Sequence, residues 1–391
     1  MAKYTVLVAH NHYRQPGGED QVFSAESDLL ETNGHRVIRY TVHNDTIEKL
    51  SKRQVATNTL WNNHVYKELR HLIRMHGVEV VHLHNTLPLL SPAAYYAARA
   101  EQVPVVQTLH NYRLYCPNGL FFRKGTVCEA CARWRIPWPS VLYSCYRDSR
   151  LASGAVATML TLHRVLRTWR NKVNVYIAAT AVSRDKFVDC GLPADKICVK
   201  PHFVHPDPGV GSGTGGYGLF VGRLTEEKGV RTLLAAIRSR LPETPMLMVG
   251  EGPLAPLVAA TVKDRANVRW LGQQPPSEVS RLMGEASFLV VPSECYEVFG
   301  LVVVESFAKG TPVIAANIGA LGELVDHGKN GLRFGPRNAD DLAQQILRAV
   351  DRPAEFRTMR KVARAEFESK YTAADNYQLL MQIYDKARAT C

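Results

Sequence analysis

The chain lacks any hydrophobic run of about 18 or more residues, so the sequence predicts no membrane-spanning helix. Its start also lacks the basic region and long apolar stretch of a secretory signal, and we therefore expect a cytoplasmic protein. Neither half has a Gly-x-Gly-x-x-Gly turn after its first predicted strand, which leaves a dinucleotide-binding interpretation without its motif. No internal repeat of about 20–50 residues is present, so solenoid and propeller architectures are excluded.

Acidic residues are scarce in the first half of the chain. Residues 1–205 contain 26 lysines and arginines against 15 aspartates and glutamates, whereas the remainder contains 22 against 21. Most of the net charge of +12 therefore lies in the first half. A basic surface attracts phosphates, so the candidate partners are an anionic bilayer, a lipid-linked pyrophosphate and a nucleic acid. A solvated basic face without a partner is the alternative.

The length of 391 residues predicts two domains, because a single hydrophobic core stops growing at about 250–300 residues. Short apolar runs alternate with amphipathic stretches throughout, which is typical of doubly wound α/β domains with parallel sheets. The predicted strands of the first half are residues 4–9, 37–40, 78–83, 103–109, 175–179 and 196–200. Those of the second half are residues 218–221, 245–249, 268–271, 287–291 and 312–315.

A segment rich in proline, glycine and serine separates the two halves and predicts an interdomain linker. The predicted organisation is an N-terminal domain, the linker, a C-terminal domain and a final helix that packs on either domain. The corresponding ranges are 1–203, 204–217, 218–370 and 371–391.

The segment 290–315 carries the densest functional signal and predicts a strand, a loop, a helix, a turn and a strand. Gly300 would open the helix, whose free N–H groups and positive dipole end suit a phosphate. Glu297 lies in the loop and Glu305 lies past the first helical turn, where they could contact a sugar and a ribose. Glu305 as an ordinary solvated helix residue is the alternative.

A second strand, glycine turn and helix start precede this segment, at residues 220–230. Arg223 and Lys228 flank this turn, and two cations beside a helix start can hold a diphosphate and stabilise its charge as it leaves. Without other motifs, ordinary surface residues would be the simpler interpretation.

Together these motifs resemble glycosyltransferase family 4, a family of retaining enzymes also called glycosyltransferase group 1. The resemblance extends from Gly17 to the final helix. It depends on one set of residues: Gly222, Arg223, Lys228, Gly229, Glu297, Phe299, Gly300, Glu305 and the run from Gly310 to Val313. It implies the GT-B fold, in which two Rossmann-like doubly wound parallel-sheet domains face a cleft and the nucleotide sugar binds the C-terminal domain.

The resemblance also implies residue roles. Arg223 and Lys228 would bind the donor pyrophosphate, Glu305 the ribose and Glu297 the hydroxyls of the transferred sugar. The other implied donor contacts are Gly222, Phe299, backbone groups near Gly300 and Leu301 for the outer phosphate, and Gly272 and Gln273 for the base. One departure is the longer segment Ser293–Glu297, which leaves open whether Glu294 shares the sugar contacts.

In the N-terminal half, Gly17 and Gly18 open a predicted helix, and the resemblance places Gly18 beside the donor phosphate; glycines that simply permit a turn are the alternative. His110 ends a predicted strand, and the resemblance places it near the transferred sugar. His110, Glu297, Arg223 and Lys228 are thus the implied catalytic set. The resemblance also implies that Arg223 and Lys228 stabilise the leaving diphosphate without a divalent metal, and that catalysis requires no cofactor.

Four cysteines lie close together in the sequence after His110, namely Cys116, Cys128, Cys131 and Cys145. A structural zinc ion bound by four thiolates and a group of packed, reduced thiols are the two interpretations. The segment around them is rich in aromatic and basic residues and predicts an acceptor-binding lid or a membrane-contacting loop. Those residues are Phe121, Phe122, Arg123, Lys124, Trp134, Arg135 and Trp138.

The next segment, residues 157–176, places Leu162, Val165, Trp169 and Val173 on one helical face. A helix packed on the core is favoured over one that lies on a membrane. The function predicted overall is transfer of a sugar from a nucleotide diphosphate sugar to a saccharide or lipid-linked acceptor, with peripheral contact to the inner face of an anionic membrane. A GT-B nucleotide-sugar epimerase and a basic, zinc-containing nucleic-acid-binding protein are the alternatives, the latter less favoured.

Overall fold

The structure is a computed structural model that describes residues 2–15, 17–134, 136–240, 243–263 and 265–390. Of the predicted lid residues, Arg135 lies outside the described residues. The chain forms two compact units. The first comprises residues up to Phe121, Cys128–His202 and the residues from Ala374, and the second comprises Phe122–Val127 and Phe203–Ala373.

The strands in chain order are β1 (Thr5–His12), β2 (Arg36–His43), β3 (Val80–Leu83), β4 (Val105–Thr108), β5 (Phe122–Arg123), β6 (Thr126–Val127), β7 (Val175–Ala178), β8 (Ile197–Val199), β9 (Gly218–Val221), β10 (Met246–Val249), β11 (Val268–Trp270), β12 (Phe288–Val291), β13 (Val313–Ala316) and β14 (Gly331–Phe334).

The helices are α1 (Gly18–Thr32), α2 (Lys52–Leu60), α3 (Asn63–His76), α4 (Ala93–Ala100), α5 (Trp138–Leu142), α6 (Arg150–Val165), α7 (Thr168–Asn171), α8 (Ala181–Asp189), α9 (Val230–Arg240), α10 (Ala255–Val262), α11 (Pro276–Glu285), α12 (Leu301–Ala308), α13 (Gly319–Leu324), α14 (Ala339–Asp351), α15 (Pro353–Lys370) and α16 (Ala373–Ala389). Among the described residues, no helix combines the length and the apolar character that crossing a bilayer requires.

The first unit contains a six-stranded sheet in the order β2-β1-β3-β4-β7-β8, and every pairing in it is parallel. The residues of β3, β4 and β7 are all buried, which is the pattern of parallel strands covered on both faces. The final helix, α16, packs here: the hydroxyl of Tyr384 lies 2.9 Å from Nδ1 of His82, and Nδ2 of Asn376 donates to the carbonyl of Pro201 at 2.6 Å.

The second unit contains a second six-stranded parallel sheet, in the order β11-β10-β9-β12-β13-β14. Its core joins the inner faces of these strands to α9, α14 and α15 through fully buried side chains such as Leu233, Ile346 and Met359. The predicted linker belongs to this unit, since the N–H groups of Gly211 and Gly213 donate to the carbonyls of Lys309 and Gly284, both at 2.9 Å.

Two doubly wound parallel sheets confirm the predicted fold class, and every predicted strand is present with end shifts of a few residues. The prediction missed β14, which completes the second sheet beside β13. This strand has only four residues and one charged position, Arg333, so its sequence carries little periodicity.

Candidate functional site

The second sheet has a topological switch point between β9 and β12. From β9 the chain proceeds outward through β10 to β11 and then returns to β12 on the other side of β9. Ligands of open α/β sheets bind outside the carboxyl ends of the strands at such a point. Arg223 follows β9 and the loop that contains Glu297 follows β12, so both predicted donor-binding segments lie at this crevice.

Lys228 and Glu297 form the central ion pair of the site. Nζ of Lys228 lies 2.6 Å from Oε1 of Glu297, and the hydroxyl of Ser293 donates to the same oxygen at 2.8 Å. Burial raises the pKa of Glu297, but the ammonium of Lys228 and the hydrogen bonds outweigh it and hold this pKa below its ordinary value. Burial likewise lowers the pKa of Lys228 and the carboxylate outweighs it, so both groups are charged at neutral pH.

Arg223 lies at the open side of this pair. Its side chain is 61% exposed and Nη2 lies 3.8 Å from Oε1 of Glu227, a loose contact that leaves the guanidinium accessible. The positive charge of Arg223 helps to lower the pKa of Glu297 and offsets a small part of the rise in the pKa of Lys228. The structure therefore brings Arg223, Lys228 and Glu297 together, as the sequence predicted.

Two glycines shape the backbone beside the ion pair. Gly229 has a φ of +68°, and a Cβ there would lie 1.8 Å from the carbonyl oxygen of Pro292, so the loops after β9 and β12 touch only because this residue is glycine. Gly300 caps α12 with a φ of +97°, and a Cβ there would lie 2.9 Å from Leu321. The amide groups that begin α12 at Leu301 lie at the crevice, because α12 follows the loop after β12.

Phe299 and Glu305 flank the start of α12 differently. The side chain of Phe299 is buried, with its ring 6.1 Å from that of Tyr371, so its contribution to a ligand site is through its backbone. Burial raises the pKa of Glu305 to about 6. Among the described residues no hydrogen bond or ion pair to its carboxyl group is recorded, so this half-buried carboxyl group keeps its hydrogen-bonding capacity for a ligand.

The predicted base-binding segment lies at the carboxyl end of β11. Gly222, Gly250 and Gly272 follow β9, β10 and β11, and the N–H of Gly250 donates to the carbonyl of Gly272 at 2.8 Å. A Cβ on Gly250 would lie 1.9 Å from the carbonyl oxygen of Gly222, so these three strand ends are held close together. Gln273 is exposed beside them. The sequence analysis missed Gly250, although its glycine-rich turn after a strand was a usable signal.

Glu294, the extra acidic residue of the β12 loop, has a different environment from Glu297. Its Oε1 accepts a hydrogen bond from the hydroxyl of Thr232 at 2.6 Å, and its Oε2 lies 3.8 Å from Nε of Arg337. Its carboxylate therefore anchors the loop to α9. Ser293, which the sequence analysis also missed, holds Glu297 in place; a serine in a loop gives no periodic signal.

In the first unit, the predicted Gly17–Gly18 pair begins α1, with Gly17 as the residue before the helix and Gly18 as its first residue. Asp20 fixes this turn, because its Oδ2 accepts from the N–H of Gly17 at 2.8 Å and its Oδ1 lies 2.9 Å from Nε2 of His10. Burial raises the pKa of Asp20, but hydrogen bonds from His10, Gly17 and His12 outweigh it and lower the value to about 2.

His110, after β4, is hydrogen-bonded to a second histidine that ends β3. Nε2 of His110 lies 2.9 Å from Nδ1 of His84, with the rings stacked at 5.1 Å. Burial lowers the pKa of His110 and holds that of His84 well below its ordinary value, so both rings are neutral at pH 7. His84 was not among the predicted site residues, because its partner is 26 residues away and no local pattern links them.

The buried ion pair of Glu26 and Lys200 lies next to His84. Nε2 of His84 is 3.6 Å from Oε2 of Glu26, and neither atom has a hydrogen-bond partner among the described residues. The other oxygen of Glu26 accepts from the ammonium of Lys200. A proton on Nε2 of His84 would face the carboxylate favourably, whereas a lone pair there would face other lone pairs. The arrangement therefore favours Nε2–H on His84 and, in consequence, Nε2–H of His110 as the donor to His84.

The four clustered cysteines all lie in the first unit, and Cys116 and Cys131 are buried. Burial raises the pKa of Cys131 to about 12, with further increases from Cys116, Cys145 and Cys128, so all four thiols are electrostatic neighbours. Within the described part of the chain, however, no three of their sulfurs lie within 4.8 Å of one another. The four thiols are close enough to influence one another, and zinc binding by them remains a prediction.

The two parallel-sheet units define a fold class, the GT-B proteins, and comparison with known proteins shows which family the second unit resembles. The family model for glycosyl transferases group 1 matches residues 212–366, which covers Arg223, Lys228, Glu297 and Glu305. Residues 212–366 of the second unit are therefore similar to glycosyl transferases group 1, which confirms the resemblance that their motifs predicted.

A curated relative has a similar sequence over part of the chain, and two solved structures have a similar fold. The chain is 35% identical over 176 residues to glycogen synthase from Mycobacterium tuberculosis, an alignment that covers 44% of this chain and only 42% of that relative. A glycosyltransferase from Rickettsia africae has a similar fold, with a TM-score of 0.72 and 17% identity over 99% of both chains. Anabaena HepE, solved in complex with UDP and glucose, has a TM-score of 0.70 and 18% identity over 98% of this chain and 99% of its own.

Proposed function

We propose that this protein is a cytoplasmic, metal-independent retaining glycosyltransferase. It moves a sugar from a nucleotide diphosphate sugar to a saccharide or a lipid-linked saccharide, as a step in polysaccharide or glycoconjugate synthesis. Peripheral contact with an anionic membrane would bring it to a lipid-linked acceptor. The observation that supports this function best is the set of Arg223, Lys228 and Glu297 at the switch point of the second sheet, beside the start of α12.

The two carboxylate oxygens of Glu297 differ in their contacts, which suggests different roles. Its Oε1 contacts Lys228 and Ser293, whereas no contact of its Oε2 with a described residue is recorded. Oε2 is thus suited to accept a hydrogen bond from a hydroxyl of the transferred sugar. The second cation, Arg223, is accessible and would join Lys228 on the diphosphate.

The proposed chemistry is displacement on one face of the sugar. The bond from the anomeric carbon to the phosphate oxygen breaks, the acceptor oxygen bonds to that carbon from the same face, and the acceptor proton passes to the departing phosphate. Negative charge grows on the diphosphate during this step, so Arg223, Lys228 and the amide groups that begin α12 would lower the barrier. His110, by resemblance, would lie near the transferred sugar.

The test is a panel of UDP-, GDP- and ADP-sugars, assayed with EDTA for thermal stabilisation and nucleotide release. The Anabaena structure was solved with UDP, which makes UDP-sugars the first to try. One nucleotide sugar should stabilise the protein, and Arg223→Ala should abolish this effect, whereas Arg231→Ala, an exposed arginine bound to Glu226, should not. NMR of the product should show the anomeric configuration of the donor.

Three results would contradict the proposal. Absence of stabilisation by every nucleotide sugar at millimolar concentration would remove the donor site. Conversion of a nucleotide sugar to its epimer without an acceptor would indicate the epimerase alternative. Salt-sensitive binding of DNA or RNA that survives Arg223→Ala would indicate the nucleic-acid alternative.

A further inference from the structure

Helix α6 of the first unit is apolar on two sides. Its inner side carries buried residues such as Val156, Met159 and Leu160. Its outer side carries a second stripe, with Leu151, Leu162 and Val165 exposed by 79%, 43% and 75%. These positions recur at helical spacing and therefore lie on one line along the exposed face. The face predicted from sequence is thus divided: Leu162 and Val165 are exposed, whereas Trp169 and Val173, beyond the end of α6, are buried and form part of the core.

Exposed aromatic residues accompany the stripe. Trp134 and Trp138 are about half exposed, and their rings meet edge-on at 6.2 Å. Nη1 of Arg164 donates to the carbonyl of Trp134 at 3.1 Å, which ties this aromatic pair to the last turn of α6. Leu142, at the end of α5, which packs against α6, is exposed as well. Exposed leucine and tryptophan side chains grouped in this way are typical of an interaction surface.

The charges around the stripe identify the kind of partner. Arg147 and Arg150 are exposed at the beginning of α6, and Arg167 and Arg170 are exposed beyond its end. Between residues 133 and 172 the sequence has a single acidic residue, Asp148. A second copy of the same face would bring like charges together, which opposes self-association through it. Anionic phospholipid headgroups complement these arginines, while Trp and Leu side chains enter the interfacial layer.

We propose that the outer face of α6, with Trp134 and Trp138, docks on an anionic lipid bilayer. This inference assigns a surface to the proposed membrane contact. It rests on the proposed function in one respect: docking would give the enzyme access to a lipid-linked acceptor. Binding itself requires neither donor nor sugar transfer.

The test is co-sedimentation of the full chain with vesicles of phosphatidylcholine alone or mixed with phosphatidylglycerol. The wild type should bind the anionic vesicles, and binding should fall with added salt. The triple variant Leu151→Ser, Leu162→Ser, Val165→Ser should lose at least about tenfold in bound fraction, as should Arg147→Gln combined with Arg150→Gln. The matched control, Leu347→Ser with Val350→Ser on the exposed side of α14, should bind as wild type does.

The proposal is overturned if the wild type does not bind anionic vesicles, or if the triple variant binds as well as the control. A concentration-dependent dimer that the triple variant abolishes would assign the face to a second copy. All replaced side chains are exposed, and equal melting temperatures of variant and control would show that folding is intact. Failure of the transferase assay would leave vesicle binding unaffected, so the two proposals fail separately.

Discussion

Nζ of Lys228 lies 2.6 Å from Oε1 of Glu297, although 69 positions separate the two residues in the sequence. The contact joins the loop after β9 to the loop after β12. These two parallel strands are neighbours because the chain, after adding β10 and β11 on one side of β9, returns to add β12 on the other side. The ion pair is therefore a consequence of the doubly wound topology. It also orients the ammonium that we assign to the donor diphosphate.

Lys228→Ala should lower kcat/KM for the nucleotide sugar by about 10²- to 10³-fold, because it removes one group that stabilises the leaving charge. It should also raise the pKa of Glu297, since Lys228 is the main charge that lowers it. The acidic limb of the pH–rate profile should accordingly move to higher pH. Steady-state kinetics over a pH range measures both effects.

Arg231→Ala serves as the control for this prediction, because Arg231 is exposed and is bound to Glu226 outside the crevice. Its kinetics should match the wild type. If Lys228→Ala kept full activity, the assignment of the diphosphate site to this loop would be wrong.

Glu305→Gln should stabilise the protein and weaken donor binding. Burial raises the pKa of Glu305 from 4.5 to about 6, which corresponds to a penalty of about 2 kcal/mol for the ionised form in the folded state. The amide carries no such penalty. A charged acceptor for the ribose hydroxyls would be lost at the same time, so the KM for the nucleotide sugar should rise.

The pH dependence of this stabilisation has a defined sign. A carboxyl group whose pKa is higher in the folded state destabilises that state once it ionises. The advantage of Glu305→Gln should be fully present above about pH 6 and should vanish below about pH 4.5. Thermal melts of the variant between about pH 4 and pH 8 measure this stability difference. Glu243→Gln, at an exposed position, is the control. An equal advantage at every pH would contradict the prediction.

The positions of the candidate donor residues in the fold could be predicted because their signals are local. Gly222, Arg223 and Lys228 follow one strand, and Glu297, Gly300 and Glu305 follow another, so strand-loop-helix patterns were enough to place them. The strand β14 was missed because four residues with one charge give no clear period. Leu162 and Val165 were assigned to a face packed on the core, because helical periodicity reveals an apolar stripe but does not show whether that stripe is covered.

Local sequence patterns could not predict the contacts around the buried histidines of the first unit. Lys200 reaches Glu26 from 174 residues away, and His84 reaches His110 from the neighbouring strand. The contact between His84 and His110 depends on the pairing of β3 with β4, which periodicity does not specify. A buried histidine at a strand end is chemically ambiguous until its partners are known.

Purified protein should contain one zinc ion per chain if Cys116, Cys128, Cys131 and Cys145 bind the metal. Zinc would draw the sulfurs together and deprotonate them, which opposes the raised pKa of Cys131. Metal analysis after dialysis measures the content. Cys131→Ser should lose the ion and lower the melting temperature, whereas Cys190→Ser, outside the cluster, should do neither. A zinc-free wild type with normal stability would favour packed, reduced thiols.

His110 should carry its proton on Nε2. The carboxylate of Glu26, 3.6 Å from Nε2 of His84, favours a proton at that nitrogen, which leaves Nδ1 of His84 to accept from His110. Nδ1 of His110 would then be a hydrogen-bond acceptor, able to receive a hydroxyl but not to donate to one. NMR of protein labelled at histidine reports the tautomer through the side-chain carbon and nitrogen shifts, with His110→Gln to assign the signal.

The double variant Glu26→Gln, Lys200→Met removes both buried charges, so neither is left without its partner. This variant should weaken the preference of His110 for a proton on Nε2 and produce a mixture of its two tautomers, while the protein remains folded. If the wild type has its proton on Nδ1 of His110, or if the double variant leaves the tautomer unchanged, the carboxylate of Glu26 does not set it. Because this measurement needs no substrate, it separates the electrostatics of the histidine pair from any role of His110 in transfer.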